Sequence, residues 1–221
     1  MGREMTILSG PLWGPAAGGA PRQLVVLCHG LGADGRDLID LAPYFGRLLP
    51  NAVFVAPDAP EPCDQAPVGR QWFSLDVLDP AKLAAGVRRG AAALDGYIDA
   101  QLARFGVGDY ALLGFSQGAM TVLFAGLRHN PPPKAILAYA GALLAPEALA
   151  ADAIAKPPVL LVHGEADMVV PATLSRQAET ALQAAGVEVE SLFIPGLGHG
   201  MDETGLEAGA ALLARVFGQE M

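Results

Sequence analysis

The sequence predicts an α/β protein with a mostly parallel central sheet and helices on both of its faces. Three observations predict it. Apolar, β-branched runs of strand length alternate with longer helical patterns. A glycine-flanked serine, Gly114-Phe115-Ser116-Gln117-Gly118, lies between one such run and one such helix. Histidine and carboxylate residues follow later runs, where an open parallel sheet gathers its chemistry.

Taken in order, the strand candidates are Met5–Leu8, Gln23–Cys28, Ala52–Ala56, Tyr110–Leu113, Ala135–Tyr139, Val159–Val162 and Val187–Ile194. Most are short apolar, β-branched runs of the kind a buried strand leaves. Helices are expected near Leu38–Arg47, Pro80–Phe105, Gln117–His129, Pro171–Ala185 and Thr204–Phe217. Pro80 and Pro171 sit where a first helical turn tolerates proline. The long alanine-rich helix carries Gly86, Gly90 and Gly96. Each costs about 1 kcal/mol against alanine, which close approach to the sheet or to another helix would offset; a break near Gly96 is the alternative. Ser9–Arg22 reads as a link between the first two strands, and the Pro-rich stretch Asp58–Asp79 as a long loop of functional length.

Bulk composition bounds the function. A chain of 221 residues suits one α/β domain spanning 1–221. Hydrophobic residues make up 52% and charged residues 17%, which excludes a disordered chain. Mean hydropathy is +0.36. The longest suspicious run, Ala135 to Pro146, is bounded by Lys134 and Glu147 and falls short of the roughly 20 residues a membrane span needs. The N-terminal Met1-Gly2-Arg3-Glu4-Met5-Thr6 lacks the apolar core of a signal peptide, so a cytoplasmic location is expected. A net charge of −9 and the lack of a basic patch argue against nucleic acid or anionic lipid as partners. Cys28 and Cys63 are expected to be free thiols outside the chemistry.

The serine pentapeptide has the form of a nucleophile elbow. A turn from strand to helix this tight leaves no room for outer side chains and forces the serine out at its tip. A hydroxyl is a poor nucleophile near neutral pH and needs a base, with a carboxylate to orient that base. His199, in Pro195-Gly196-Leu197-Gly198-His199-Gly200, follows the last strand and is the candidate base; a flexible surface loop is the plain alternative. The acid should follow Val159–Val162, where the chain reads His163-Gly164-Glu165-Ala166-Asp167-Met168-Val169-Val170-Pro171. Asp167 is preferred to Glu165 because it lies deeper in the loop, although a helix-capping turn would also use it. His163 is expected to be a satisfied structural donor, His129 a helix cap and Asp202 a helix N-cap.

A tetrahedral intermediate needs two donors aimed at its oxyanion. Ser116 is followed by Gln117, whose backbone N–H is one candidate. His29-Gly30-Leu31-Gly32-Ala33-Asp34-Gly35 follows an early strand and places Leu31 to supply the other. This Gly-rich loop lacks the Gly-Lys-Ser/Thr ending of a phosphate cradle, so no nucleotide is expected. Neither a cofactor nor a metal is called for.

HGLGADGRDL at 29–38, GRQWFSLD at 69–76, LLGFSQGAM at 112–120, LVHGEADMVVP at 161–171 and GLGHGM at 196–201 resemble the phospholipase/carboxylesterase family of α/β-hydrolases. That family includes bacterial carboxylesterases and acyl-protein thioesterases, and the resemblance covers nearly the whole chain. It implies an α/β-hydrolase core without a large cap domain, a Ser116–Asp167–His199 triad, Leu31 and Gln117 as oxyanion donors, and a possible homodimer.

Trp72, Phe73, Leu75, Val77 and Leu78 on the long loop, with Leu143, Leu144, Met168 and Val169 on loops at the same sheet edge, would form an apolar groove for an acyl chain. About half are expected to line it and the rest to pack the loops down; Trp72 has both readings. The expected activity is that of a serine carboxylesterase acting on short- to medium-chain carboxylic esters, small-molecule substrates, through an acyl-serine. The alternatives are a lysophospholipase or acyl-protein thioesterase with the same triad, and more remotely a non-catalytic binding protein on a hydrolase scaffold.

Overall fold

The computed structural model describes residues 8–75 and 79–218. Within them seven strands form one sheet: β1 (Leu12–Trp13), β2 (Gln23–Cys28), β3 (Ala52–Val55), β6 (Tyr110–Phe115), β7 (Ile136–Tyr139), β8 (Val159–Gly164) and β9 (Val189–Ile194). The spatial order is β1-β3-β2-β6-β7-β8-β9. All neighbours run parallel except β1, which lies antiparallel on β3 with Leu12 opposite Val55. β4 (Glu61–Pro62) and β5 (Arg70–Gln71) form a separate antiparallel pair.

The alternation of side chains along each strand divides the core in two. Leu24, Val26 and Cys28 of β2, with Val159 and Leu161 of β8, face one layer. That layer holds α3 (Pro80–Phe105), α4 (Gln117–Gly126) and α6 (Thr173–Ala184). Val25 and Leu27, with Leu160 and Val162, face the other, which holds α1 (Gly35–Ile39), α2 (Ala42–Phe45) and α7 (Glu203–Val216). Both faces are covered, which is why the strands read as continuous apolar runs.

Four expectations need correction. Positions 5–7 of the proposed strand Met5–Leu8 lie outside the described residues, and Leu8 itself is not in a strand. The stretch Ser9–Arg22 is not a plain link, since it contains β1. The helix expected over Leu38–Arg47 is two short helices. Pro43 sits in the first turn of α2, and a proline there lacks the N–H that would continue α1. The last correction concerns not the extent of α3, which spans the expected Pro80–Phe105 unbroken through Gly96, but what its glycines admit. A Cβ at Gly86 or Gly90 would press on Phe73 and the Trp72 carbonyl, so these glycines admit the 72–73 segment rather than the sheet or another helix. A 3₁₀ turn (Pro146–Ala148) and α5 (Leu149–Asp152) complete the elements.

Because β2, β6, β7, β8 and β9 run parallel, the segments that follow them emerge at one edge. Residues 29–34, Ser116, 140–145, 165–171 and 195–202 therefore share that edge.

Candidate active site

Ser116 caps the N-terminus of α4 with φ 54° and ψ −117°, a conformation that costs about 1–3 kcal/mol for a residue with a side chain. The elbow around it is sterically closed. A Cβ on Gly114 would overlap the Gly118 backbone, and one on Gly118 would run into the carbonyl oxygens of Cys28 and His29. Backbone cannot swing aside as a side-chain tip can. Gly118→Ala is therefore expected to lose about 4 kcal/mol or more. In a thermal melt that is a fall in Tm of roughly 8–16 °C at 2–4 °C per kcal/mol, or no folded protein at all. Gly96→Ala is the control: a Cβ there meets nothing within 4 Å, and a gain of about 0.5–1 kcal/mol is expected.

His199 Nε2 lies 3.1 Å from Ser116 Oγ, and His199 Nδ1 lies 2.7 Å from Asp167 Oδ2. With Nδ1–H donating to the carboxylate, the Nε2 lone pair faces the serine hydroxyl. The Phe115 ring lies against the imidazole at 4.9 Å between centroids. Asp167 Oδ1 accepts the N–H groups of Val169 (2.8 Å) and Val170 (2.9 Å), and its side chain is fully buried. Burial alone would raise its carboxyl pKa. The hydrogen bond from His199 and those from the two backbone amides outweigh burial and hold it below its ordinary 3.8. The acid and histidine loops are fastened together: Ala166 N–H donates to Leu197 O at 2.9 Å, and a Cβ on Gly164 would collide with the same carbonyl.

The His-Gly loop is held from both sides. His29 is buried, its Nε2 accepting Ala59 N–H at 3.0 Å and its Nδ1 lying 2.7 Å from Gly30 O. Burial lowers its pKa, with the Gly30 hydrogen bond and nearby aspartates opposing. Gly30 packs on Ser116, where an added Cβ would come within 3.3 Å of the serine Cβ. Gly32 N–H donates to Arg70 O and Arg70 N–H to Ala33 O, at 2.9 and 2.8 Å. The Arg70 guanidinium donates to the carbonyls of Ala59 and Pro60, both at 2.7 Å. No acceptor among the described residues takes the N–H of Leu31 or of Gln117. At Gln117 this follows from the helix start, whose first N–H groups have no partner within the helix.

The predicted groove is only partly assembled. Of the two readings of Trp72, burial selects the core, and Phe73, a groove candidate, is fully buried beside it. The Gln117 side chain fixes them there: Oε1 accepts Trp72 N–H at 2.8 Å and Nε2 donates to Phe73 O at 2.7 Å. Trp72 Nε1 donates to His29 O at 3.0 Å. The pair anchors the long loop under the site and leaves no surface for a ligand. Leu75 and Leu144 are half-buried against the core, and Leu143 is buried. Met168 and Val169 are 93% and 68% exposed beside the acid. Val77 and Leu78 lie outside the described residues.

The remaining candidates separate cleanly. Glu165 pairs with Arg176 at the surface, 2.7 Å apart, and Asp202 caps α7 by accepting Gly205 N–H. His129 is no helix cap: it is buried, with Nδ1 2.7 Å from the Tyr110 hydroxyl and 2.8 Å from Pro131 O. The Cys28 thiol is buried and pushed well above its ordinary pKa. Among the described residues no group of three or more His, Cys, Asp or Glu side chains could hold a metal ion. Sequence reasoning misses the Gln117 side-chain clamp and the Arg70 bonds, although GRQWFSLD at 69–76 is among the segments that carry the family resemblance. A glutamine after the elbow and an arginine before a buried Trp-Phe pair were the signals available.

A covered parallel sheet with serine, histidine and carboxylate linked at its carboxyl edge defines a serine hydrolase of the α/β-hydrolase class. The chain belongs to the phospholipase/carboxylesterase family, whose model matches residues 16–216. It is similar to the crystal structure of esterase PE8, with 42% identity, a TM-score of 0.89, and coverage of 95% of this chain and 99% of that one. It is 28% identical over 191 residues to esterase YpfH of Escherichia coli (strain K12), covering 84% of this chain and 79% of the relative. Acyl-protein thioesterase 1 of Schizosaccharomyces pombe (strain 972 / ATCC 24843) is 32% identical over 165 residues, covering 68% and 71%. No helix among the described residues is long and apolar enough to cross a membrane.

Proposed function

We propose that this protein is a serine carboxylesterase hydrolysing short- to medium-chain carboxylic esters, with residues 1–221 acting as one domain. The observation that carries the reading is the hydrogen-bonded chain from Ser116 through His199 to the buried carboxylate of Asp167. Ser116 Oγ attacks the ester carbonyl while His199 Nε2 takes its proton. The oxyanion that forms is met by the N–H groups of Leu31 and Gln117. Collapse breaks the bond to the alcohol, which leaves with the proton held on His199, and Ser116 is acylated. Water then attacks the acyl-serine, giving His199 a proton; collapse of the second intermediate returns that proton to Ser116 and releases the acid. Asp167 keeps the imidazole in its Nδ1–H form and stabilises its positive charge.

Met168 and Val169 stand exposed beside the acid and form the open apolar wall that a short acyl chain would touch. A thioester reading is favoured by the similarity to acyl-protein thioesterase 1 of Schizosaccharomyces pombe, and the net charge of −9 weighs against strongly anionic acyl carriers. A cytoplasmic homodimer completes the proposal.

The test is hydrolysis of p-nitrophenyl esters from acetate to palmitate, with Ser116→Ala as background. A maximum at short chains is expected. Equal rates for wild type and variant would end the esterase reading, and comparable efficiency on an acyl thioester or lysophosphatidylcholine would move the substrate class.

A further inference from the structure

Asp167 is held by more than the groups of its own triad. His163, at the end of β8, is buried with no exposed side-chain surface. Its Nε2 lies 2.8 Å from Val170 O and 3.2 Å from Asp167 Oδ2, the oxygen bound to His199 Nδ1. Val170 in turn donates its N–H to Asp167 Oδ1. Since both atoms facing Nε2 are acceptors, that nitrogen must carry a proton. On the other side of the ring, Nδ1 lies 2.6 Å from Ser175 Oγ, whose hydroxyl is 3.1 Å from Gly141 O. The ring is thus locked between α6, the segment after β7 and the acid loop.

We propose that His163 is a positioning residue for the triad: its Nε2–H edge closes the 165–171 loop around Asp167 and shares Asp167 Oδ2 with His199. The inference rests on the reading of Ser116, Asp167 and His199 as a triad. Two effects follow from the geometry. A loop fixed through Val170 holds the carboxylate in the rotamer that meets His199. A second N–H beside Oδ2 also weakens that oxygen's hold on the His199 proton. The titratable groups at this carboxylate are His163 from β8 and His199 from the loop after β9. From α6 the ring meets the Ser175 hydroxyl, and from the segment after β7 the Gly141 carbonyl. The nearest charges on α6 and the acid loop, Arg176 and Glu165, neutralise each other at the surface.

Two substitutions separate this role from simple packing. In His163→Gln the side-chain amide nitrogen takes the place of Nε2 and keeps the donor to Val170. In His163→Asn it takes the place of Nδ1, keeping Ser175 and losing the acid loop. For Asn, kcat on a p-nitrophenyl ester should fall about 10-fold or more with KM unchanged. The acid limb of its kcat/KM profile should rise by roughly 0.5–1 pH unit as the carboxylate charge falls on His199 alone. Gln should stay near wild type in both. The low-field proton resonance of the His199–Asp167 hydrogen bond should move in Asn and not in Gln; it reads the clamp without using turnover. In ¹⁵N-histidine-labelled wild type, Nε2 of His163 should carry a proton, a measurement that needs no variant to fold. Equal losses in Asn and Gln, an unmoved pH profile in Asn, or an unprotonated His163 Nε2 would each overturn the proposal. Failure of the triad reading would appear separately, as full activity in Ser116→Ala.

Discussion

Replacing Ser116 by alanine is expected to lower kcat for ester hydrolysis by about 10⁶-fold while leaving the protein folded. At 1.36 kcal/mol per tenfold, that is about 8 kcal/mol of transition-state stabilisation. The loss is large because nucleophile and base act as a unit: without Oγ, His199 Nε2 has no proton to take. The same logic makes the double variant Ser116→Ala/His199→Ala about as slow as either single one. A residual rate above the uncatalysed reaction, about 10³–10⁴-fold, should survive from the oxyanion donors and binding alone. Stability should barely change, because the Ser116 side chain makes no capping bond to α4. Ser116→Gly should be as inactive as Ser116→Ala yet more stable by about 1 kcal/mol, since only glycine takes φ 54° without strain. Single-turnover kinetics and paired melts check both halves, and a variant retaining a tenth of the activity would remove Ser116 from the chemistry.

Sequence periodicity exposed the layers of this fold and missed its small parts for a physical reason. Strands β2, β3, β6, β7 and β8 are four to six residues long and buried on both faces, so each leaves an apolar run that can be seen without a partner, while the half-buried edge strand β9 shows only the apolar stretch 192–194 after Glu190 and Ser191. Strands β1, β4 and β5 have two residues each, too few for any period, and they exist because of the strand opposite them. The break before α2 was legible in principle at Pro43, which a broader helical pattern masked.

At the site, the hydrogen-bonded trio Ser116, His199 and Asp167, the proposed nucleophile, base and acid, was legible because turn glycines and strand order restrict where such groups can meet. The supports were not. Gln117 was marked for its backbone, while its side chain reaches across 45 positions to Trp72. Hydrophobicity made Trp72 and Phe73 candidates for groove and core alike, and the same hydrophobicity buries both once Gly86 and Gly90 let α3 close over them. His163 read as structural, and no local pattern announces that its ring faces Asp167.

Asp167→Asn should cost about 10⁴-fold in kcat, less than loss of the serine but through a sharper mechanism. The geometry fixes which way the new amide turns. One oxygen position accepts N–H groups from Val169 and Val170, so the amide oxygen must stay there. The NH₂ then occupies the place of Oδ2, facing His199 Nδ1 at 2.7 Å and His163 Nε2 at 3.2 Å. A donor against Nδ1 forces the neutral imidazole into its Nε2–H form, and Nε2 then offers Ser116 a hydrogen where a lone pair is needed. Catalysis is lost although every heavy atom can stay in place. Since substrate need not touch Asp167, KM should change little. Stability separates with pH in a defined direction. The wild-type carboxyl is held below its ordinary 3.8, so its contribution is complete above that value and is lost as pH falls through the lower, folded one. The stability gap between wild type and Asp167→Asn should therefore narrow as pH falls below about 4 and the wild-type carboxyl takes up its proton. Urea midpoints across that range measure it. A gap that widened below about 4 would mean that burial, not the three hydrogen bonds, governs this carboxylate.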